Sequence, residues 1–235
     1  MTRRPRSLAP RMPAPRGGPA ARASSPDALR RSGFTLIEIL VAVAVLALLI
    51  GLAIPALNAS RRRGQVHACQ ATIERLKLAV ERYAAAFGDF PPSSLGELGI
   101  PRTNGVNEGI ESLLRALTTA GRGGPFLEPS AEELANTDGD AIAATADDPT
   151  GSVLGSRELL ELVDPWGNPF IYFHHRDYRG GRGIEDYAIG GRQQRCRPRP
   201  EETTGSYPAL TSFMIWSAGP NGLNEDGGGD DVTSW

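Results

Sequence analysis

The feature of this chain that most constrains its fold is a long apolar run that begins directly after a basic segment. From Phe34 to Leu57 the residues are almost all Leu, Ile, Val and Ala, and Glu38 is the only ionisable side chain among them. A helix needs about 20 such residues to cross a hydrocarbon core about 30 Å thick. The run therefore predicts a membrane helix over residues 34–57.

Glu38 lies near the start of this apolar run. A carboxylate within lipid costs about 2.5–3.5 kcal/mol on insertion scales, so it requires a partner. The run contains no Lys or Arg. A cut between Gly33 and Phe34 would create an α-amino group that neutralises Glu38 of a neighbouring copy. Such a cut would give Glu38 a partner of opposite charge within lipid.

The same residues resemble the type IV prepilin signal. In that family a membrane aspartyl peptidase cuts after the glycine and N-methylates the new terminal residue, and the fifth mature residue is a glutamate. Gly33, Phe34 and Glu38 match these positions. An ordinary secretory signal is cut after its apolar core, and an ordinary single-pass anchor does not need a glutamate at this depth. Both alternatives are therefore disfavoured.

The charges divide at the predicted cut. The leader, residues 1–33, contains eight Arg and one Asp, which leaves 17 of the 25 basic and 26 of the 27 acidic residues in the mature part. The positive-inside rule then predicts a cytoplasmic leader. With the family resemblance, this implies a bacterial inner-membrane protein, single-pass, whose C-terminal domain is periplasmic. Residues 1–29, rich in Pro, Arg and Ala, predict a disordered segment.

A second helical pattern follows the membrane run over residues 58–88. Its apolar residues recur at spacings of three and four, as on one face of a helix. They are Val66, Cys69, Ile73, Leu76, Val80, Tyr83 and Phe87. We predict one helix over residues 34–87, ended by Gly88. Pro55 removes a hydrogen bond and predicts a kinked or loosened turn, which the resemblance implies can unwind during filament assembly.

Residues 89–235 are enough for one compact domain. The segment 109–117 predicts a short helix, residues 164–169 a sharp turn, and residues 170–173 and 212–217 two strands. This order resembles the major pseudopilins of type II secretion systems. The resemblance implies an α+β fold of the type IV pilin-like kind, with a long N-terminal α-helix packed on a small antiparallel β-sheet domain.

The segment 218–231 is a Gly-rich loop with four carboxylates, two Asn side chains and no basic residue. Oxygen ligands on a flexible loop suit Ca²⁺, a hard cation. The loop resembles the C-terminal calcium loop of the major pseudopilins. The ligands that this implies are the side chains of Asn221, Asp230 and Asp231, the backbone carbonyl of Ala218, and Glu225 or Asp226. An acidic tail without a metal stays open as the alternative.

Two further features have weaker signals. The acidic segment 128–158, with Asp138-Gly139-Asp140 and Asp147-Asp148, departs from the family, and we interpret it as a solvated loop rather than a second cation site, because its spacing matches no complete calcium loop. His174 and His175 are adjacent on a predicted strand and are predicted to lie on the surface.

The two cysteines give no disulfide framework. Cys69 belongs to the apolar stripe and is predicted to be buried, whereas Cys196 has no predicted role. A disulfide between them stays open, since the distance between two cysteines does not follow from sequence.

The sequence contains no nucleophile elbow, zinc-protease helix or phosphate-binding loop, so we predict that the protein is not an enzyme. The resemblance implies a major pseudopilin that polymerises into a periplasmic pseudopilus and drives export of folded proteins across the outer membrane. The implied partners are the membrane, further copies of the chain, prepilin peptidase, minor pseudopilins, a platform membrane protein and an assembly ATPase, without nucleic acid. The alternatives are a type IV pilus pilin or minor pseudopilin, and a membrane-anchored calcium-binding module.

Overall fold

The computed structural model describes residues 33–100, 103–142 and 155–235. The chain divides into two compact units, of which the first ends at Leu49 and the second covers Ile50–Trp235. The predicted disordered segment, residues 1–29, and the pair Asp147-Asp148 lie outside the described residues. Helices and antiparallel strands make up the described part, so the predicted α+β class is confirmed.

One long helix, α1, spans Leu36–Phe87. Pro55 lies inside this helix and does not end it. Gly88 follows the last helical residue with a φ of +84°, a left-handed conformation that glycine adopts without steric cost. The helix predicted over residues 34–87 is confirmed, with a start slightly later than expected.

The apolar stripe of α1 lies in the core of the second unit. Cys69, Ile73, Leu76 and Val80 are buried, and Val66 and Tyr83 pack against the same cluster. Burial of each large apolar side chain contributes about 1.5–3 kcal/mol. The predicted stripe is thus confirmed from Val66 to Tyr83 as the face by which this part of α1 joins the core, whereas Phe87, its last predicted member, is 39% exposed.

The second helix, α2, spans Glu108–Thr118 and confirms the short helix predicted over residues 109–117. Gly109 lies so close to β3 (Ile171–His174) that a Cβ at this position would overlap the Tyr187 hydroxyl and the Tyr172 carbonyl oxygen. A glycine therefore allows the first turn of α2 to lie directly on the strand.

Short strands form three antiparallel sheets in the described residues. The strands are β1 Leu134–Ala135, β2 Glu161–Leu162, β3 Ile171–His174, β4 Asp186–Ile189, β5 Arg192–Arg195, β6 Phe213–Ser217 and β7 Val232–Thr233. The sheets have the orders β1-β2, β3-β6-β7 and β4-β5. The two predicted strands are confirmed as β3 and β6. Because β6 and β7 are neighbours, the loop over residues 218–231 connects adjacent strands of one sheet.

The predicted turn before β3 is built around the carboxylate of Asp164. This group accepts hydrogen bonds from the amides of Trp166 at 2.9 Å and Asn168 at 3.0 Å. It also accepts one from the hydroxyl of Ser217 at 2.5 Å. Since Ser217 belongs to β6, this hydrogen bond links the turn to the β3-β6-β7 sheet.

The prediction that His174 and His175 lie on the surface is wrong for His174, whose side chain is fully buried. The chain leaves β3 at this point, so the two rings do not point to opposite faces, and their centroids lie 4.3 Å apart. The Nδ1 atom of His174 accepts a hydrogen bond from the Arg176 amide, which leaves Nε2 to donate to Asp89 at 3.1 Å. Burial lowers the pKa of His174, and the hydrogen bond to Asp89 offsets part of this effect.

Both cysteines are buried and free, so no disulfide joins them. The predicted burial of Cys69 is confirmed. Burial raises the pKa of its thiol to about 12, and burial also raises the pKa of Cys196. Each thiol is therefore protonated at neutral pH and acts as a small apolar group.

Candidate functional site

The predicted cleavage site lies at the exposed start of the described chain. Phe34 is 81% exposed. A Cβ at Gly33 would meet no atom within 4 Å. Neither residue packs against the residues that the structure describes, and α1 begins only at Leu36. The peptide bond between Gly33 and Phe34 is thus in a non-helical, accessible segment.

Thr35 and Glu38 form a reciprocal cap at the start of α1. The Glu38 carboxylate accepts hydrogen bonds from the amide of Thr35 at 3.0 Å and from its hydroxyl at 3.1 Å. The Thr35 hydroxyl in turn accepts one from the Glu38 amide at 3.2 Å. This capping box satisfies amide groups that the first turn of a helix leaves unpaired. Glu38 therefore has local partners within one chain.

The N-terminal part of α1 presents its large apolar side chains to the surroundings rather than to a core. By length and composition this helix is long and apolar enough to cross a membrane. The exposed residues are Leu36, Ile37, Ile39, Leu40, Val41, Val43, Val45, Leu46, Leu48, Leu49, Ile50, Leu52, Ile54 and Leu57. Such a surface requires lipid or the apolar surface of another helix.

The acidic loop between β6 and β7 brings several predicted calcium ligands together. The Asp231 carboxylate accepts hydrogen bonds from the amides of Glu225 at 3.1 Å and Gly227 at 2.8 Å. Its other oxygen, Oδ1, is buried without a hydrogen-bond partner. Burial raises the pKa of Asp231 to about 6. Burial and the neighbouring Glu225 also raise the pKa of Asp230.

The remaining predicted ligands of this loop differ in their availability. The Asn221 side chain accepts a hydrogen bond from the Leu223 amide at 2.6 Å, which closes a tight turn. Ala218, whose carbonyl is a predicted ligand, is buried at the end of β6. Asp226 forms an ion pair with Arg199 at 2.7 Å. Glu225, by contrast, accepts a hydrogen bond from the Asp230 amide at 2.9 Å and lies beside the aspartate pair.

A different group of carboxylates converges in the interior of the second unit. Glu111, Asp138 and Glu161 each bring a carboxylate oxygen within 4.8 Å of the other two. We call these three residues the triad. Glu111 and Glu161 are fully buried. The predicted ligands of the 218–231 loop do not form such a triad in the described structure.

The triad combines residues from three elements. Glu111 lies on α2, Glu161 on β2, and Asp138 in the turn after β1. Burial, together with the charges of Asp140 and Asp138, raises the pKa of Glu111 to about 11. Burial also raises the pKa of Glu161 to about 7. These raised pKa values are the electrostatic signature of carboxylates that crowd together in a buried environment.

Sequence analysis identified the turn that carries Asp138 but interpreted it as solvated. The turn itself is present, since the Asn136 side chain accepts hydrogen bonds from the amides of Gly139 at 2.7 Å and Asp140 at 3.2 Å. Asp138 and Asp140 are half-buried, however. Glu111 does not share the face of α2 that the apolar residues Ile110, Leu113, Leu114 and Leu117 form. The helical period therefore gave no signal of its burial.

A helix with an exposed apolar start, capped by the glutamate at position 38 and preceded by the accessible Gly33, defines a candidate membrane-anchored protein with a processed N-terminus. A family model described as the prokaryotic N-terminal methylation motif matches residues 29–54. The chain thus carries the signature of type IV pilins and pseudopilins, which implies processing by a prepilin peptidase and assembly into a polymer. No curated protein and no solved structure matches the chain.

Proposed function

We propose that this protein is a structural subunit of a pilin-like filament, namely the major pseudopilin of a type II secretion system. The observation that carries the proposal is the coincidence of the methylation motif with an exposed apolar helix at residues 36–57. An apolar helix of this length, freed of its basic leader, can move from lipid into the centre of a filament, where helices of other copies replace the lipid.

The α+β architecture is consistent with this role. Part of α1 belongs to the core of the second unit through Cys69, Ile73, Leu76 and Val80. A globular domain fixed to a helix in this way would be carried along as its helix enters a polymer. We propose that the mature domain is periplasmic and that the anchor lies in the bacterial inner membrane.

Calcium at the 218–231 loop is part of the same proposal. The buried, unpartnered Oδ1 atom of Asp231 and the neighbouring Asp230 and Glu225 fit a hard cation. We assign Asn221 and the Ala218 carbonyl as further ligands, and favour Glu225 over Asp226 because Asp226 is paired with Arg199. A bound ion would stabilise the connection between β6 and β7, since its binding free energy adds to the free energy of folding.

The processing step provides the first test. We would co-express the full chain with a prepilin peptidase and determine the mass of the N-terminal peptide. We expect a peptide that begins at Phe34 and carries one added methyl group. Gly33→Val should block the cut, whereas Gly51→Ala, a change at an open position inside α1, should leave it intact. An uncut leader in the membrane-extracted protein would refute the proposal.

A second candidate is a type IV pilus pilin or a minor pseudopilin, because the methylation motif alone is shared by the whole class. The two candidates differ in what the filament does. Deletion of the gene should abolish export of folded proteins across the outer membrane if the chain is the major pseudopilin. Loss of surface pili with export intact would favour the pilus pilin. For all these assignments we propose a structural and not an enzymatic role.

A further inference from the structure

Three carboxylates from distant parts of the sequence meet inside the second unit, away from the 218–231 loop. Glu111 of α2, Glu161 of β2 and Asp138 of the turn after β1 place one oxygen each within 4.8 Å of the others. Like charges at this separation repel each other strongly in a buried environment. The arrangement therefore requires a neutralising ligand or bound protons.

Glu111 gives the strongest evidence that the triad binds a ligand. Its side chain is fully buried, and neither carboxylate oxygen has a hydrogen-bond partner. Glu108, one turn earlier on the same helix, differs because its carboxylate has hydrogen-bond donors. Its carboxylate accepts hydrogen bonds from the hydroxyls of Ser94 at 2.8 Å and Thr103 at 2.6 Å, and from the Leu95 amide at 3.2 Å.

Asp138 and Glu161 are oriented towards the same space by their neighbours. The amide group of Asn104 donates to Oδ2 of Asp138 at 2.8 Å, and Oδ1 of Asp138 remains buried without a partner. Glu161 accepts hydrogen bonds from the Asn107 side chain at 2.8 Å and the Thr137 amide at 2.9 Å. Such supporting hydrogen bonds orient the ligands of metal sites.

We propose that Glu111, Asp138 and Glu161 bind one calcium ion. All three donors are carboxylate oxygens, which hard cations prefer over the nitrogen and sulfur ligands that zinc requires. Calcium–oxygen distances of about 2.3–2.6 Å place opposite ligands about 4.6–5.2 Å apart, which the triad already allows. Magnesium, at about 2.0–2.1 Å, would require a tighter octahedron.

Asp140 is a further oxygen donor in the same turn as Asp138. Both of its carboxylate oxygens are buried without a hydrogen-bond partner. Bidentate carboxylates, Asp140 and water would complete the six to eight oxygens that calcium accepts. The ion would join α2 to the β1–β2 sheet and so fix the acidic segment, which is a role separate from filament assembly and from the 218–231 loop.

The test uses the full chain in detergent, stripped of metal with a chelator and titrated with calcium chloride in an equilibrium dialysis experiment. We expect Glu111→Gln to bind one calcium ion per chain fewer than the unaltered protein. Gln has the shape of a protonated glutamate and removes one charge from the repelling group, so the variant should fold at least as well without metal. Asp138→Asn, at a half-buried position, is the second variant and should lose the same ion.

Glu108→Gln is the matched control. It removes the same charge from a buried position on the same helix, but its three hydrogen-bond donors show that the fold already satisfies this carboxylate. It should keep the full number of ions. Asp231→Asn separates the two sites, because it should lose the ion of the 218–231 loop and keep that of the triad.

Hydrogen exchange locates the effect. Calcium removal should increase exchange at residues 134–142 and 158–162 in the unaltered chain and have no such effect in Glu111→Gln. If Glu111→Gln and Asp138→Asn bind as many calcium ions as the unaltered chain, the proposal is overturned, and protons rather than a cation neutralise the triad. Equal binding of magnesium chloride by this site would overturn the assignment to calcium.

Discussion

The carboxylate of Glu38 accepts hydrogen bonds from both the amide and the hydroxyl of Thr35. Glu38 is thus a helix cap within its own chain, and our proposal gives it a second role as the partner of the Phe34 amine on a neighbouring copy. Both hydrogen bonds from Thr35 use Oε2 of Glu38, so the proposed amine would be a donor to the same carboxylate from outside the chain.

Substitutions at Thr35 and Glu38 separate these roles. We expect Glu38→Ala to prevent filament formation, seen by electron microscopy of reconstituted membranes, without lowering the melting temperature of the globular domain. Thr35→Ala weakens the cap by about 1 kcal/mol but leaves the carboxylate, so it should still assemble. If Thr35→Ala blocks assembly as completely as Glu38→Ala, the cap and not the intermolecular pair is the function of Glu38.

Gly109 allows α2 to pack closely against its neighbours, and Gly64 is a control glycine in a helix with open space around it. Gly109→Ala would push the start of α2 away from Tyr187 and the Tyr172 carbonyl, which should lower the free energy of unfolding by about 1–3 kcal/mol. Gly64→Ala lies in α1 with no atom within 4 Å of its Cβ, and should raise it by about 0.5–1 kcal/mol. Urea unfolding of the two variants in detergent checks both values, and equal effects would contradict this account of Gly109.

The sequence was most informative where structure follows from neighbours along the chain. The stripe of α1, the end at Gly88 and the turn at Asp164 depend on periodicity and on local backbone chemistry, and all were predicted. Burial of His174 was not, because it depends on Asp89, 85 residues away. Likewise, Glu111 and Glu161 meet only after α2 packs on β2, so their convergence has no local signal.

His174 should make stability depend on pH below neutrality. Burial holds its folded-state pKa below the unfolded value of about 6.5, so the unfolded chain binds a proton that the folded chain does not. The free energy of unfolding should then fall as pH decreases below about 6.5, by at most about 1.4 kcal/mol per pH unit. Around the ring lie Asp89, Arg176 and His175, and their charges modify the midpoint.

We would measure the free energy of unfolding against pH for the unaltered chain and for a variant without His174. Their difference isolates the effect of His174 from that of the buried carboxylates, whose raised pKa values increase stability as pH falls. His174→Asn keeps a hydrogen-bond acceptor and does not titrate, so its profile should lack the loss below pH 6.5. The exposed His67 is the control, and His67→Asn should retain that loss. A His174→Asn profile parallel to that of the unaltered chain would show that burial does not suppress protonation.

Calcium at the 218–231 loop should be detectable as a change in melting temperature once the buried triad is removed. In the Glu111→Gln background, calcium at about one hundred times its Kd should add about 2.7 kcal/mol to the free energy of unfolding. Asp231→Asn removes the buried, unpartnered oxygen and should abolish this increase. Asp226→Asn breaks the ion pair with Arg199 but should keep the increase, because Asp226 is not among the ligands we favour. Melting curves with calcium and with a chelator measure all three, and an equal calcium effect in Asp231→Asn would exclude Asp231 as a ligand.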